Sequence, residues 1–175
     1  EIPANLAPQL ANSDFSIEFW FKNNSNTTDT TTILSQGDLR NPFRGLQIYI
    51  NSSAEQIGLN FNSGQATFST ASIIKNDFNH YAIVFDSRSN SGKGSAICYI
   101  NGLPISANYI NKADMGGQTI ASGKIEIGRT IGYNDNYIEG ELKKLKIYNR
   151  KITDIELKKS ASYKNTEYCP AGVVS

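Results

Sequence analysis

Glu139 and Glu141 are the acids whose spacing comes closest to a catalytic arrangement. Residues two apart on a strand share a face, and cleavage of a glycosidic bond needs two carboxylates about 5 to 9 Å apart across it. Lys143 continues the same row and no third acid follows, so a solvated edge of mixed charge accounts for the pair. His80 is the only histidine, and no acid, serine or cysteine is placed by motif to make a triad with it. It reads as a packed or rim histidine, and the chain is expected not to be an enzyme. One histidine and two distant cysteines also cannot build the usual zinc tetrahedron.

Binding fits the residues better. A sugar presents C–H faces that lie on aromatic rings and hydroxyls that need both donors and acceptors, so its site combines Tyr or Trp with Asn, Asp, Gln or Arg on loops. Two stretches have that composition: Tyr133-Asn134-Asp135-Asn136-Tyr137 with Arg129 at its entrance, and Asp38-Leu39-Arg40-Asn41-Pro42-Phe43-Arg44. The candidate contacts are Arg40, Asn41, Arg44, Arg129, Tyr133, Asn134, Asp135 and Tyr137. The competing account is that Asn, Asp and Gly are what turns are made of. The two loops are expected to share one rim.

The elements that position these loops read as strand after strand. Phe78-Asn79-His80-Tyr81-Ala82-Ile83-Val84-Phe85-Asp86 is apolar on both faces, Tyr81, Ile83 and Phe85 on one and Ala82 and Val84 on the other, which places it inside a sheet. Residues 95–100, Asn101-Gly102 and 103–105 form a tight hairpin with a type I′ turn. Residues 15–22 alternate, with Phe15, Ile17, Phe19 and Phe21 toward the core and Ser16, Glu18, Trp20 and Lys22 on the other face. Trp20 is expected to pack under a loop or against the end of the chain, with a ligand platform as the other option. Residues 32–35, 45–50, 56–61 and 65–70 continue as strands, the last three as a meander. Residues 87–94 read as a polar loop, and strands at 124–129 and 138–148 follow a long connection over 107–123. The spacing of Leu142, Leu145 and Ile147 breaks alternation and predicts a bulge. Thr153-Asp154-Ile155-Glu156 is a capping box that starts a short helix running to about Ser160.

A chain of 175 residues, 39% hydrophobic and 10% aromatic, fits one all-β domain able to bury a core. A net charge of +1 makes no electrostatic case for nucleic acid, and no apolar run approaches the roughly 20 residues that span a bilayer. The sequence begins at Glu1 without Met, so a domain cut from a longer chain or a processed product is expected. Cys98 and Cys169 could clip the C-terminus onto the sheet, or be two unrelated thiols. Sequons at Asn23, Asn26 and Asn51 permit a secreted setting.

In order along the chain, residues 15–22, Ile33-Leu34-Ser35-Gln36-Gly37-Asp38, the 78–86 strand, Tyr99-Ile100-Asn101-Gly102, Ile125-Glu126-Ile127-Gly128-Arg129 and residues 139–153 resemble the laminin-G-like jelly rolls of the concanavalin A-like lectin/glucanase superfamily. The likeness covers about 14–160; Phe78-Asn79 stands where that family usually has a Trp-His pair, a change that packing should tolerate. It implies two antiparallel sheets packed as a jelly-roll sandwich with one short C-terminal helix, and variable rim loops that hold ligands. It also implies a rim calcium ion, for which Asp38, Asp86, Asn101 and Asp135 offer oxygens and Asp38 and Asp135 are the first candidates. The expectation is a single domain over 1–175, acting outside cells or at a cell or particle surface as a non-catalytic module for a glycan or glycoprotein, beside other domains of a parent chain. An adhesion or structural module that binds protein, and a polysaccharide hydrolase or lyase, remain the alternatives.

Overall fold

The computed structural model describes residues 1–3, 10, 13–24, 30–38, 44–61, 64–70, 76–92, 94–111, 123–131 and 137–163. The chain begins with β1 (Phe15–Asn23), β2 (Thr30–Asp38), β3 (Arg44–Asn51), β4 (Gln56–Phe61), β5 (Gly64–Ser69) and β6 (Asn79–Asp86). It continues through a single helical turn, α1 (Ser89–Gly92), then β7 (Ser95–Ile100), β8 (Leu103–Ile105), β9 (Ala107–Asn111), β10 (Ile125–Ile127), β11 (Gly140–Tyr148) and the helix α2 (Asp154–Ser162). The strands form a five-stranded sheet in the order β11-β1-β6-β7-β8 and a six-stranded sheet in the order β10-β2-β3-β4-β5-β9, with every pairing antiparallel. This is the expected jelly-roll sandwich. No described helix is long and apolar enough to cross a membrane.

Side-chain alternation decides which face of each strand is buried. Phe15, Ile17, Phe19 and Phe21 of β1 and Tyr81, Ile83 and Phe85 of β6 meet Ile33, Leu46, Ile48, Ile50, Leu59 and Phe68 of the other sheet in one core. Phe15 stacks on Phe85 at 5.0 Å and Phe19 on Tyr81 at 5.4 Å, ring centre to ring centre. The second apolar face of β6 is also covered: Ala82 and Val84 pack with Tyr99, Ile152 and Leu157, so α2 lies on the outside of the five-stranded sheet. Two apolar faces on one strand therefore mark a strand with a sheet-to-sheet core on one side and a helix on the other.

Local signals produce local structure where expected. Asn101 and Gly102 have φ of 52° and 79°, as a type I′ turn requires. Thr153 accepts from the Glu156 amide while Glu156 accepts from the Thr153 amide, closing the capping box. Between the pairs Glu18–Lys146 and Trp20–Lys143 the register slips by one residue, and Lys144 takes a φ of 52°: the bulge in β11. Asn79, in place of the family's histidine, is buried and accepts from Asn101, and Phe78 lies under the Lys143 ammonium at 3.9 Å.

Two segments read as connections differ. Within 87–94, the Asp86 carboxylate accepts from the amides of Arg88 and Ser89 and caps the turn α1. Within 107–123, β9 adds to the edge of the six-stranded sheet beside β5. Its sequence lacks a strong alternation, so the open edge of β5 and not local propensity makes it a strand. Cys98 is a fully buried free thiol; Cys169 lies outside the described residues.

Candidate functional site

Strand pairing lays a polar surface over the outer face of the six-stranded sheet. Glu126, Ser35, Gln47, Asn60 and Gln65 are successive register partners from β10 to β5 and so share a face. Thr32, Tyr49, Gly58 and Thr67 form the adjoining row. These groups bond to one another: the Gln47 amide donates to Thr32 at 2.9 Å and Thr130 at 3.1 Å and accepts from Asn60 at 3.0 Å, and Gln65 donates to the Tyr49 hydroxyl at 2.8 Å. The Tyr49 ring lies over Gly58, where a Cβ would come within 2.1 Å of Tyr49 Cζ.

At the β10 edge of this face the chain turns back on itself at Gly128, whose φ is 79°. That reversal lets Arg129 fork onto Glu126, Nε to Oε2 at 3.0 Å and Nη2 to Oε1 at 2.9 Å. Lys124 reaches the same carboxylate at 2.5 Å and Glu1 at 2.9 Å. The Arg129 and Lys124 bonds hold the Glu126 carboxyl down at about 2, so it stays ionised at neutral pH. Ser35 donates to the Arg129 carbonyl and accepts from Ile131, which fastens the segment across β2. Ile138 donates to the Gly128 carbonyl, so Tyr137 precedes a residue fastened to the same turn that carries Arg129. The Tyr137 ring is 52% exposed and the Arg129 side chain 44% exposed. Of the expected contacts, these two are the ones whose side chains are described, and both lie at the β10 edge. The arrangement offers an exposed ring, guanidinium N–H groups beyond those spent on Glu126, and a pre-positioned fork.

Arg40, Asn41, Tyr133, Asn134 and Asp135 lie outside the described residues. Asp38 and Arg44 are register partners that close β2 against β3. The expectation that the two loops share one rim concerns residues 39–43 and 132–136, outside the described residues. Two of the oxygens offered to calcium are committed elsewhere: Asp86 caps α1 and takes Lys151, and Asn101 braces the His80 amide and Asn79. Among the described residues no group of three or more His, Cys, Asp or Glu could hold a metal ion. Glu141, on the edge strand β11, pairs with Lys22 at 3.2 Å and is half exposed.

A second polar cluster was not anticipated. On the outer face of the five-stranded sheet, Glu18 and His80 are 2% and 1% exposed, with Glu18 Oε2 and His80 Nε2 3.3 Å apart. Glu18 Oε1 accepts from Lys146 at 2.7 Å, Tyr148 at 2.9 Å and Ser160 at 3.0 Å. Burial would push this carboxyl up, but the His80 imidazole and the Lys146 and Tyr148 bonds outweigh it and bring it down to about 2. A carboxylate held ionised in this way has no proton to give at neutral pH. Trp20 is buried with its ring centre 5.4 Å from His80 and shares a pocket with Ser160 and Tyr163 at the end of α2. Glu18 sits on the polar side of an alternating strand, and that alone was the signal; what covers it is supplied from the far end of the sequence.

No curated protein matches the sequence. Among solved structures, the CBM40 of the Ruminococcus gnavus IT-sialidase bound to α2,3-sialyllactose superimposes with a TM-score of 0.67 at 18% identity, over 87% of this chain and 84% of that one. The native heptameric SAP-like pentraxin of Limulus polyphemus gives 0.64 at 19% identity, over 91% and 71%. The K499G mutant of NanB sialidase from Streptococcus pneumoniae gives 0.64 at 14% identity, with 90% of this chain matching only 25% of that one. At these identities the likeness is one of fold. The family described as the concanavalin A-like lectin/glucanases superfamily, in its laminin-G type, matches residues 2–158, and the chain belongs to it.

Proposed function

We propose that this domain is a non-catalytic carbohydrate-recognition module that docks its glycan at the β10 edge of the six-stranded sheet. The observation that carries this reading is an exposed Tyr137 at the same sheet edge as an Arg129 guanidinium already oriented by Glu126. The ring takes the C–H face of a sugar, and the remaining guanidinium N–H groups take its hydroxyls or a carboxylate. Family membership and the likeness to a sialyllactose-bound CBM40 support the ligand class. Against catalysis stand the scattered carboxylates: Glu126, Glu141 and Glu18 each belong to a separate ion pair. A calcium ion at Asp38 and Asp135, and a place outside the cell or on a surface beside other domains, belong to the same proposal.

The test is a glycan array with the isolated domain, in calcium and again in EDTA, followed by titration of any hit into Tyr137→Ala and Arg129→Gln. Binding that either substitution weakens by tenfold or more, with folding intact, supports the reading. Loss in EDTA alone places the cation in or beneath the site. No binding in either buffer favours the second reading, a protein-binding module, which the exposed side chains of Ile97, Leu103 and Ile155 support.

A further inference from the structure

The two outer faces of a sandwich point away from each other, so the Glu18–His80 cluster is remote from the Arg129–Tyr137 edge. Between α2 and the five-stranded sheet lies a cavity of about 70 Å³. Glu18, Trp20 and His80 line it from β1 and β6, Lys144 and Lys146 from the bulged β11, and Ser160 and Tyr163 from the end of α2. The bulge runs through this lining: Lys144 lies within the slipped register, between the pairs Trp20–Lys143 and Glu18–Lys146.

At this cavity Glu18 Oε2 and His80 Nε2 face each other at 3.3 Å without hydrogen-bond geometry, and His80 Nδ1 has no hydrogen-bond partner. The other carboxylate oxygen is saturated by Lys146, Tyr148 and Ser160, and Lys144 donates to the Tyr163 carbonyl across the opening. The lining therefore asks for a ligand that both donates and accepts. An anion would face Glu18 Oε2, and a cation would face Lys144 and Lys146. A neutral hydroxyl compound meets neither repulsion: one hydroxyl donates to Glu18 Oε2, and its neighbour accepts from the imidazole N–H or an ammonium while the carbons lie against Trp20. The volume is about half that of a cavity of about 150 Å³ that holds benzene, which suits a two-carbon diol and not a whole sugar ring.

We propose that this cavity is a second ligand site, taking the vicinal hydroxyl pair of a neutral polyol or of one edge of a saccharide residue. It stands on its own observations and does not depend on the edge site.

The chain has one tryptophan and one histidine, and both line the cavity, so each reports on it without interference. Glycerol, methyl α-D-mannopyranoside and methyl β-D-galactopyranoside are titrated into the protein to about 100 mM, where a Kd of about 10 mM is nearly saturated. Trp20 emission and the His80 ring resonances are followed together. The expected result is a saturable change in both signals with at least one probe. Ser160→Val, which removes a hydroxyl and narrows the opening, and Lys144→Ala, at an exposed position, each weaken that response by about tenfold, while Tyr137→Ala leaves it unchanged. No saturable change with any of the three probes overturns the proposal, and so does a response that both cavity variants retain. Loss of the array signal in Tyr137→Ala with this response intact separates the two sites.

Discussion

Glu18 and His80 meet diagonally across β1 and β6: the register pairs Glu18 with Ala82 and His80 with Trp20, yet the carboxylate and the imidazole are 3.3 Å apart. Diagonal neighbours are within reach of long side chains. The contact is buried because β11 supplies Lys146 and Tyr148 and α2 supplies Ser160 to the same carboxylate. One acid on β1 thus holds β11 and α2, each more than a hundred residues further along the chain.

Acid stability follows from that carboxylate. Glu18 falls from 4.5 to about 2 on folding, so its contribution is complete above pH 4.5 and is lost as pH drops toward 2. At 1.36 kcal/mol per unit this is roughly 3 kcal/mol. Glu126 titrates over the same range, which steepens the wild-type profile. Glu18→Gln should cost about 3 kcal/mol at pH 7, with the gap to wild type narrowing toward pH 2 in urea melts. Equal pH slopes for the two proteins would remove Glu18 from this role.

The attachment of α2 can be weakened in graded steps. Thr153→Ala opens the capping box and should cost about 1 kcal/mol. Leu157→Ala, at a fully buried position against Ala82 and Val84, should cost about 2–5 kcal/mol. Denaturation midpoints check both, and a Leu157→Ala midpoint no lower than that of Thr153→Ala would show that the helix is not held by its apolar face.

Gly58 is required by the ring above it. A methyl group there would overlap Tyr49, so Gly58→Ala should cost about 1–3 kcal/mol and release the Tyr49–Gln65 bond. Burial raises the Tyr49 hydroxyl above its ordinary 10, with the Gln65 bond partly offsetting the shift. Displacing the ring should bring its ultraviolet titration back toward 10. An unchanged titration and midpoint would mean that the ring has room to move aside.

Cys98 should be silent toward thiol reagents in the native protein. Its side chain is fully buried and burial pushes the thiol far above its usual range, so labelling waits on unfolding. In denaturant without reductant it should label as a free thiol. A denatured chain with no reactive thiol would instead establish the Cys98–Cys169 bridge.

Alternation along β1, the doubly apolar β6, the Asn101-Gly102 turn, the broken period of β11 and the Thr153–Glu156 cap could be read directly from the amino acids. Each is a preference between residues a few positions apart, and backbone geometry converts it into structure wherever the chain sits. The single-turn α1 was missed because a side-chain cap on a polar loop leaves no hydrophobic period, and β9 because a free sheet edge recruited it.

Residue composition picked out Arg129 and Tyr137, and the fork onto Glu126 came only with the reversal at Gly128. The sequence by itself determined every strand but β9, their inward faces and the family. Tertiary structure alone decided that Glu18, on what reads as an outward face, is buried beneath residues 146, 148 and 160. The physical reason is that periodicity states which side chains share a face, whereas burial and charge pairing depend on which distant segment is laid over that face.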